Sequence, residues 1–117
     1  MGEARYELPA MVAPYAGRIN DLDAHEAIPV TLWREEFGPE VDEIIAADTM
    51  GFFDTETTRD DTPIDSHGVW YVKMEKAPGA FDFRRRLEVM DYVGIDQQIL
   101  FPGGLGLQAM LLYDSFD

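Results

Sequence analysis

Asp82-Phe83-Arg84-Arg85-Arg86-Leu87-Glu88-Val89-Met90-Asp91-Tyr92-Val93-Gly94-Ile95-Asp96-Gln97-Gln98-Ile99-Leu100-Phe101 is the stretch that decides the fold. It opens on an aspartate, whose carboxylate can accept from the free amides of a first helical turn. Phe83, Leu87 and Met90 then recur at i, i+4 and i+7, which predicts a helix over 83–93 with one apolar stripe. Gly94 is placed to end it, because glycine enters the left-handed conformation of a helix C-terminus without steric cost. Residues 95–101 carry Ile95, Ile99 and Phe101 and read as a strand, stopped by Pro102-Gly103-Gly104. Helix, glycine, strand and Gly-rich loop form the second half of a βαβ unit, so the chain is expected to be α/β with a parallel strand upstream.

That upstream strand is sought at 18–25. It runs into Asp21-Leu22-Asp23-Ala24-His25-Glu26, three carboxylates and one imidazole within six residues. In regular strand, alternate side chains share a face, so Asp21, Asp23 and His25 would project together while Leu22 and Ala24 face the other way. Two oxygen donors and one nitrogen donor on one face make half of a divalent-metal site. Asp21 and Glu26 read either as carboxylates that orient a metal-bound imidazole from behind or as solvent-exposed groups.

Between the two strands the chain is long. Pro29 breaks it. Residues 30–37 read as a short helix with Leu32, Trp33 and Phe37 on roughly one side, closed by Gly38-Pro39. Residues 40–47 allow another helical turn or two. Residues 48–66 read as a long acidic loop, 68–75 as a short strand or hairpin arm, and 77–80 as a turn. Residues 105–113 would begin the next helix or lead to it. The chain thus divides into an irregular arm (1–18), a first strand with the acidic motif (19–29), an insertion (30–80), and a helix, strand and following loop (81–117). His67 reads as an ordinary loop histidine. Arg84-Arg85-Arg86 reads as a solvated helix face pairing with acidic neighbours, with a clamp on a substrate carboxylate as the other reading. Trp33, Phe52, Phe53, Trp70 and Tyr71 read as packing of the insertion, with a pocket mouth as the other reading. Pro102-Gly103-Gly104 lacks the Lys-Ser/Thr of a phosphate loop.

Composition narrows the function classes. The chain has 117 residues, 23 acidic and 9 basic, for a net charge of −14. So acidic a surface repels nucleic-acid backbones and anionic membranes, and serves solubility or attracts a cation or a basic partner. There is no cysteine, which removes disulfides, zinc ribbons, iron–sulfur clusters and thiol nucleophiles. The N-terminal residues lack the apolar core of a signal peptide and no apolar run reaches transmembrane length, so a cytoplasmic location is expected.

Asp21-x-Asp23-x-His25-x-x-x-Pro29 with Leu32-Trp33, and Arg86-Leu87-Glu88-x-Met90-Asp91-x-x-Gly94-Ile95-Asp96 running into Gln98-Ile99-Leu100-Phe101-Pro102, together carry a family likeness. Over residues 19–110 the chain resembles the N-terminal third of the amidohydrolase-related metal-dependent hydrolases. This branch includes the aminocarboxymuconate semialdehyde and resorcylate decarboxylases. The resemblance implies an incomplete (β/α)8 TIM barrel, completed by another chain or by residues beyond this one, with metal at the C-terminal ends of its strands. It makes Asp23 and His25 metal ligands, although many relatives carry His or Glu where Asp23 stands. It leaves the cofactor as a divalent metal: zinc, manganese or iron. Asp21, Glu26, Trp33 and Gly103 become supporting or substrate-contacting candidates, Gly103 because barrels place substrate contacts in the loop after a strand. The implied activity is hydrolysis or non-oxidative decarboxylation of a small carboxylate or aromatic acid, with a general base outside this chain. The alternative is a non-catalytic small subunit or degenerate fragment that completes or regulates a partner barrel.

Overall fold

The computed structural model of the chain describes residues 8–46, 56–103 and Gly106. In chain order its elements are β1 (Ile19–His25), α1 (Val30–Phe37), α2 (Val41–Ala46), α3 (Ser66–Tyr71), α4 (Phe83–Val93) and β2 (Ile95–Phe101), with single 3-10 turns at Ala13–Tyr15 and Met74–Lys76. The deciding stretch folds as its residues dictate. The Asp82 carboxylate accepts from the amides of Arg84 (3.0 Å) and Arg85 (3.4 Å), and Gly94 ends α4 at φ 79°.

β1 and β2 pair in parallel as a two-stranded open sheet, with the helices lying between them in sequence. The described residues form a small α/β unit and no barrel. The register runs Ile19↔Ile95, Asn20↔Gln97, Asp21↔Gln98, Ala24↔Leu100 and His25↔Phe101. Asp96 is therefore an extra residue on β2, and β1 carries one extra residue between Asp21 and Ala24. The second irregularity is a bulge at the end of the strand where the acidic motif lies, and it interrupts the alternation expected over Asp21, Asp23 and His25.

A small apolar core joins α1 to α2. Val30 and Val41 are buried, with Trp33, Ile44 and Ile45 packed against them. The exposed Arg34–Asp42 ion pair at 2.6 Å spans the same two helices and adds about 0–1 kcal/mol. Ala24, Pro29 and Ala80 are buried beneath the strand ends, where the Ala27 amide donates to the Ala80 carbonyl at 3.0 Å.

The turn before α4 is organised by Asp60, whose side chain is 2% exposed. Its Oδ1 accepts from the Gly79 amide at 2.9 Å and from Arg85 at 2.6 Å. Its Oδ2 accepts from the amides of Phe81 (3.2 Å) and Asp82 (3.0 Å). Arg85 also donates to the carbonyl oxygens of Asp60 and Thr62.

Three readings are corrected. Residues 68–75 are not a strand: Ser66–Tyr71 is helical, because the Asp65 carboxylate caps it at the Gly68 amide (2.7 Å) and local capping outweighs β propensity. His67 consequently lies on α3 rather than in a loop. Arg84-Arg85-Arg86 is not one solvated face, since Arg84 is exposed while Arg85 and Arg86 turn inward. The Phe83–Leu87–Met90 stripe exists but covers little here: Phe83 and Leu87 are 50% and 61% exposed. The helix expected over 105–113 falls, apart from Gly106, outside the described residues, as do Phe52 and Phe53. Among the described residues no helix is long and apolar enough to cross a membrane.

Candidate metal centre

Parallel pairing brings the C-terminal ends of β1 and β2 together, with His25 opposite Phe101. There the His25 Nε2 lies 3.2 Å from Asp23 Oδ1, and the His25 Nδ1 lies 3.4 Å from the Pro102 carbonyl oxygen. Both side chains are open to solvent, His25 at 49% and Asp23 at 87%. With the imidazole proton on Nδ1, directed at the Pro102 carbonyl, the Nε2 lone pair faces a carboxylate oxygen. That tautomer leaves room for a cation between them; with the proton on Nε2 the imidazole donates to Asp23 in an ordinary hydrogen bond. Two ligands on one tetrahedral zinc, with bonds of about 2.0–2.1 Å, stand roughly 3.3–3.4 Å apart, a separation that the 3.2 Å approach matches as closely as it matches a direct hydrogen bond. A carbonyl acceptor on the far nitrogen is the usual device for fixing a ligating histidine's tautomer.

The pair remains a pair. Among the described residues no group of three or more His, Asp or Glu side chains could hold a metal ion. Asp21 is held elsewhere: its Oδ2 accepts from Gln98 Nε2 at 2.9 Å, and its Oδ1 accepts from the Asp23 amide at 3.1 Å. It thus braces the backbone of Asp23. Glu26 latches the two strand-end loops, its Oε1 accepting from the Gly103 amide (2.7 Å) and its Oε2 from the Ile28 amide (3.0 Å).

Gly103 is buried against that latch. A Cβ there would sit 2.1 Å from the Glu26 carbonyl oxygen, far inside contact distance. Gly103→Ala is therefore expected to push the loops apart and cost about 1–3 kcal/mol in a urea titration, whereas a loss within about 0.5 kcal/mol would show that the latch yields. Trp33 stacks on Phe37 with ring centroids 5.1 Å apart, and its buried indole nitrogen has no hydrogen-bond partner among the described residues. It packs on the α1–α2 core, which is the packing role. Trp70 and Tyr71 are exposed on α3, where Tyr71 stacks on His67 at 5.6 Å.

Arg86, expected on a solvated helix face, lies beside this site instead and holds its backbone. Its Nε donates to Gln98 Oε1 (2.8 Å), one terminal nitrogen to the Gly79 carbonyl (2.9 Å), and the other to the His25 carbonyl (2.7 Å). Burial lowers its pKa, while Asp21, Glu26 and Asp60 pull it back up. The guanidinium stays charged regardless, because its ordinary value lies so far above neutrality. A signal was present: successive helical residues are about 100° apart, so three consecutive arginines cannot all face solvent equally. A separate open cleft of about 370 Å³, lined by Thr57, Thr58, Arg59, Thr62 and Val72 together with Asp61 and Lys76, carries charge of both signs.

No protein-family model, no curated protein and no solved structure matches this chain.

Proposed function

We propose that this chain supplies the first-strand half of the metal site of an amidohydrolase-type hydrolase or non-oxidative decarboxylase acting on a small carboxylate or aromatic acid. The observation that supports this most is the 3.2 Å approach of His25 Nε2 to Asp23 Oδ1 at the C-terminal end of a parallel strand, with Pro102 behind the imidazole. Asp23 and His25 would hold zinc, manganese or iron, and the other donors and the general base would come from barrel strands outside these 117 residues. A bound divalent ion there supplies Lewis-acid polarisation of a substrate carboxylate or a lowered pKa for a bound water. The chain's own part is to orient: Pro102 holds the imidazole, Asp21 the Asp23 amide, and Glu26 the loops on either side.

Zinc, manganese and iron(II) binding to the purified protein, with metal content and intact mass of the native complex, tests this. A stoichiometric metal with a co-purifying larger chain is expected. His25→Ala and Asp23→Ala should each weaken zinc binding by at least about 100-fold. Both sites are exposed, so stability should move by no more than about 0.5 kcal/mol. A lone metal-free species of 13.3 kDa that takes up none of these ions would overturn the reading. A second reading, a non-catalytic subunit that completes or regulates a partner barrel, is favoured by the exposure of Leu22 (66%), Ile99 (50%) and Phe101 (45%) on the sheet. A metal-free complex containing a larger chain would support it instead.

A further inference from the structure

We infer that Arg86 and Gln98 are positioning residues that set the geometry of the Asp23–His25 pair by clamping the bulge of β1, an inference that rests on the metal reading above. A bulge leaves backbone groups without ladder partners, and they must be held by other means. Here a closed relay does so. The Asp23 amide donates to Asp21 Oδ1 at 3.1 Å, and Asp21 Oδ2 accepts from Gln98 Nε2 at 2.9 Å. Gln98 Oε1 accepts from Arg86 Nε at 2.8 Å, and Arg86 returns to the His25 carbonyl at 2.7 Å. The relay begins on the backbone of one candidate ligand and ends on the backbone of the other. Its third anchor, the Gly79 carbonyl at 2.9 Å, fastens the guanidinium to the turn before α4.

The chemistry of each member is specific. Gln98 donates to a carboxylate and accepts from a guanidinium, and its planar amide does both at once. A carboxylate in its place would keep the Arg86 bond and repel Asp21. Only the guanidinium fork spreads donors to Gln98, Gly79 and His25 at once, so an ammonium cannot replace it. Side-chain spacing along an ideal strand would not set the Asp23–His25 approach; the clamped bulge does.

Three variants, Gln98→Met, Gln98→Glu and Arg86→Lys, test this by amide hydrogen exchange, imidazole 15N shifts and zinc titration. In all three, the Asp23 amide should exchange roughly tenfold faster while the α1 and α2 amides keep their rates. The His25 15N resonances should shift, and the zinc Kd should rise by about 10–100-fold. Gln98→Glu keeps the side-chain volume and the Arg86 bond, so it reads the relay in a folded chain even where Gln98→Met does not fold. Unchanged Asp23 exchange and unchanged His25 resonances in Gln98→Glu would overturn the clamp. So would loosened Asp23 exchange with unaltered zinc affinity. Should the wild-type protein take up none of zinc, manganese and iron(II), the metal reading fails by itself, and the exchange and 15N data still decide whether the relay sets the pair.

Discussion

Asp60→Ala is expected to destabilise the protein by about 3–5 kcal/mol, the cost of breaking one partner out of a buried ion pair. The Asp60 side chain is 2% exposed and Arg85 is 20% exposed. Removing the carboxylate leaves the Arg85 guanidinium short of its counter-charge. It also strips the acceptor from the amides of Gly79, Phe81 and Asp82, which lie in the turn that launches α4. Each orphaned buried donor adds a desolvation penalty of about 1–3 kcal/mol where water cannot reach it. A domain with roughly 5–15 kcal/mol in total has little to spare against that loss. A lowered urea midpoint with an unchanged slope is the expected signature. Asp60→Asn keeps one carbonyl acceptor and should lose less. A loss below about 1 kcal/mol in Asp60→Ala would show that water takes over the carboxylate's bonds and that the hub does not organise the turn.

Gly79→Ala is expected to cost about 2–5 kcal/mol, for two separable reasons. Gly79 sits at φ 74°, where an L side chain is strained by about 1–2 kcal/mol. Its Cβ would also lie 2.7 Å from the Arg86 Cα and 2.9 Å from the Arg86 nitrogen. These are backbone atoms in the first turns of α4, so the helix itself must shift, which adds about 1–3 kcal/mol. The shift reaches the candidate metal centre, because the Gly79 carbonyl accepts from Arg86 and Arg86 holds the His25 carbonyl. Urea denaturation and the Asp23 amide exchange rate should therefore move together in this variant. Full stability in Gly79→Ala would mean that the turn relaxes without disturbing α4, and the close approach would carry no energetic weight.

The local elements were legible because their signals are local. Asp82 as cap, Gly94 as terminator and the bounds of α1, α4 and β2 follow from side chains acting within a few residues of themselves. The helix at Ser66–Tyr71 runs against the β-branched and aromatic content of its residues, because the Asp65 carboxylate caps its first turn. Spacing offered Asp21, Asp23 and His25 as donors and only the family resemblance singled out Asp23 and His25, while the reason those two approach was legible in neither. Regular alternation put Asp21 with them, whereas the bulge and Gln98 take Asp21 away.

The sequence by itself determined the α/β class, the helix–glycine–strand unit and the placement of an acidic motif at the end of the first strand. Each depends on residue type and on contacts made within one or two turns. Only the tertiary structure decided that Arg86 serves the His25 backbone, that Asp60 governs a turn some 20 residues away, and that Glu26 and Gly103 are a latch. Those bonds join groups 19 to 77 residues apart. Nothing in local propensity specifies which distant carboxylate a buried amide or guanidinium will find. That choice is made when the parallel register sets the two strand ends side by side and buried polar groups must take the partners within reach.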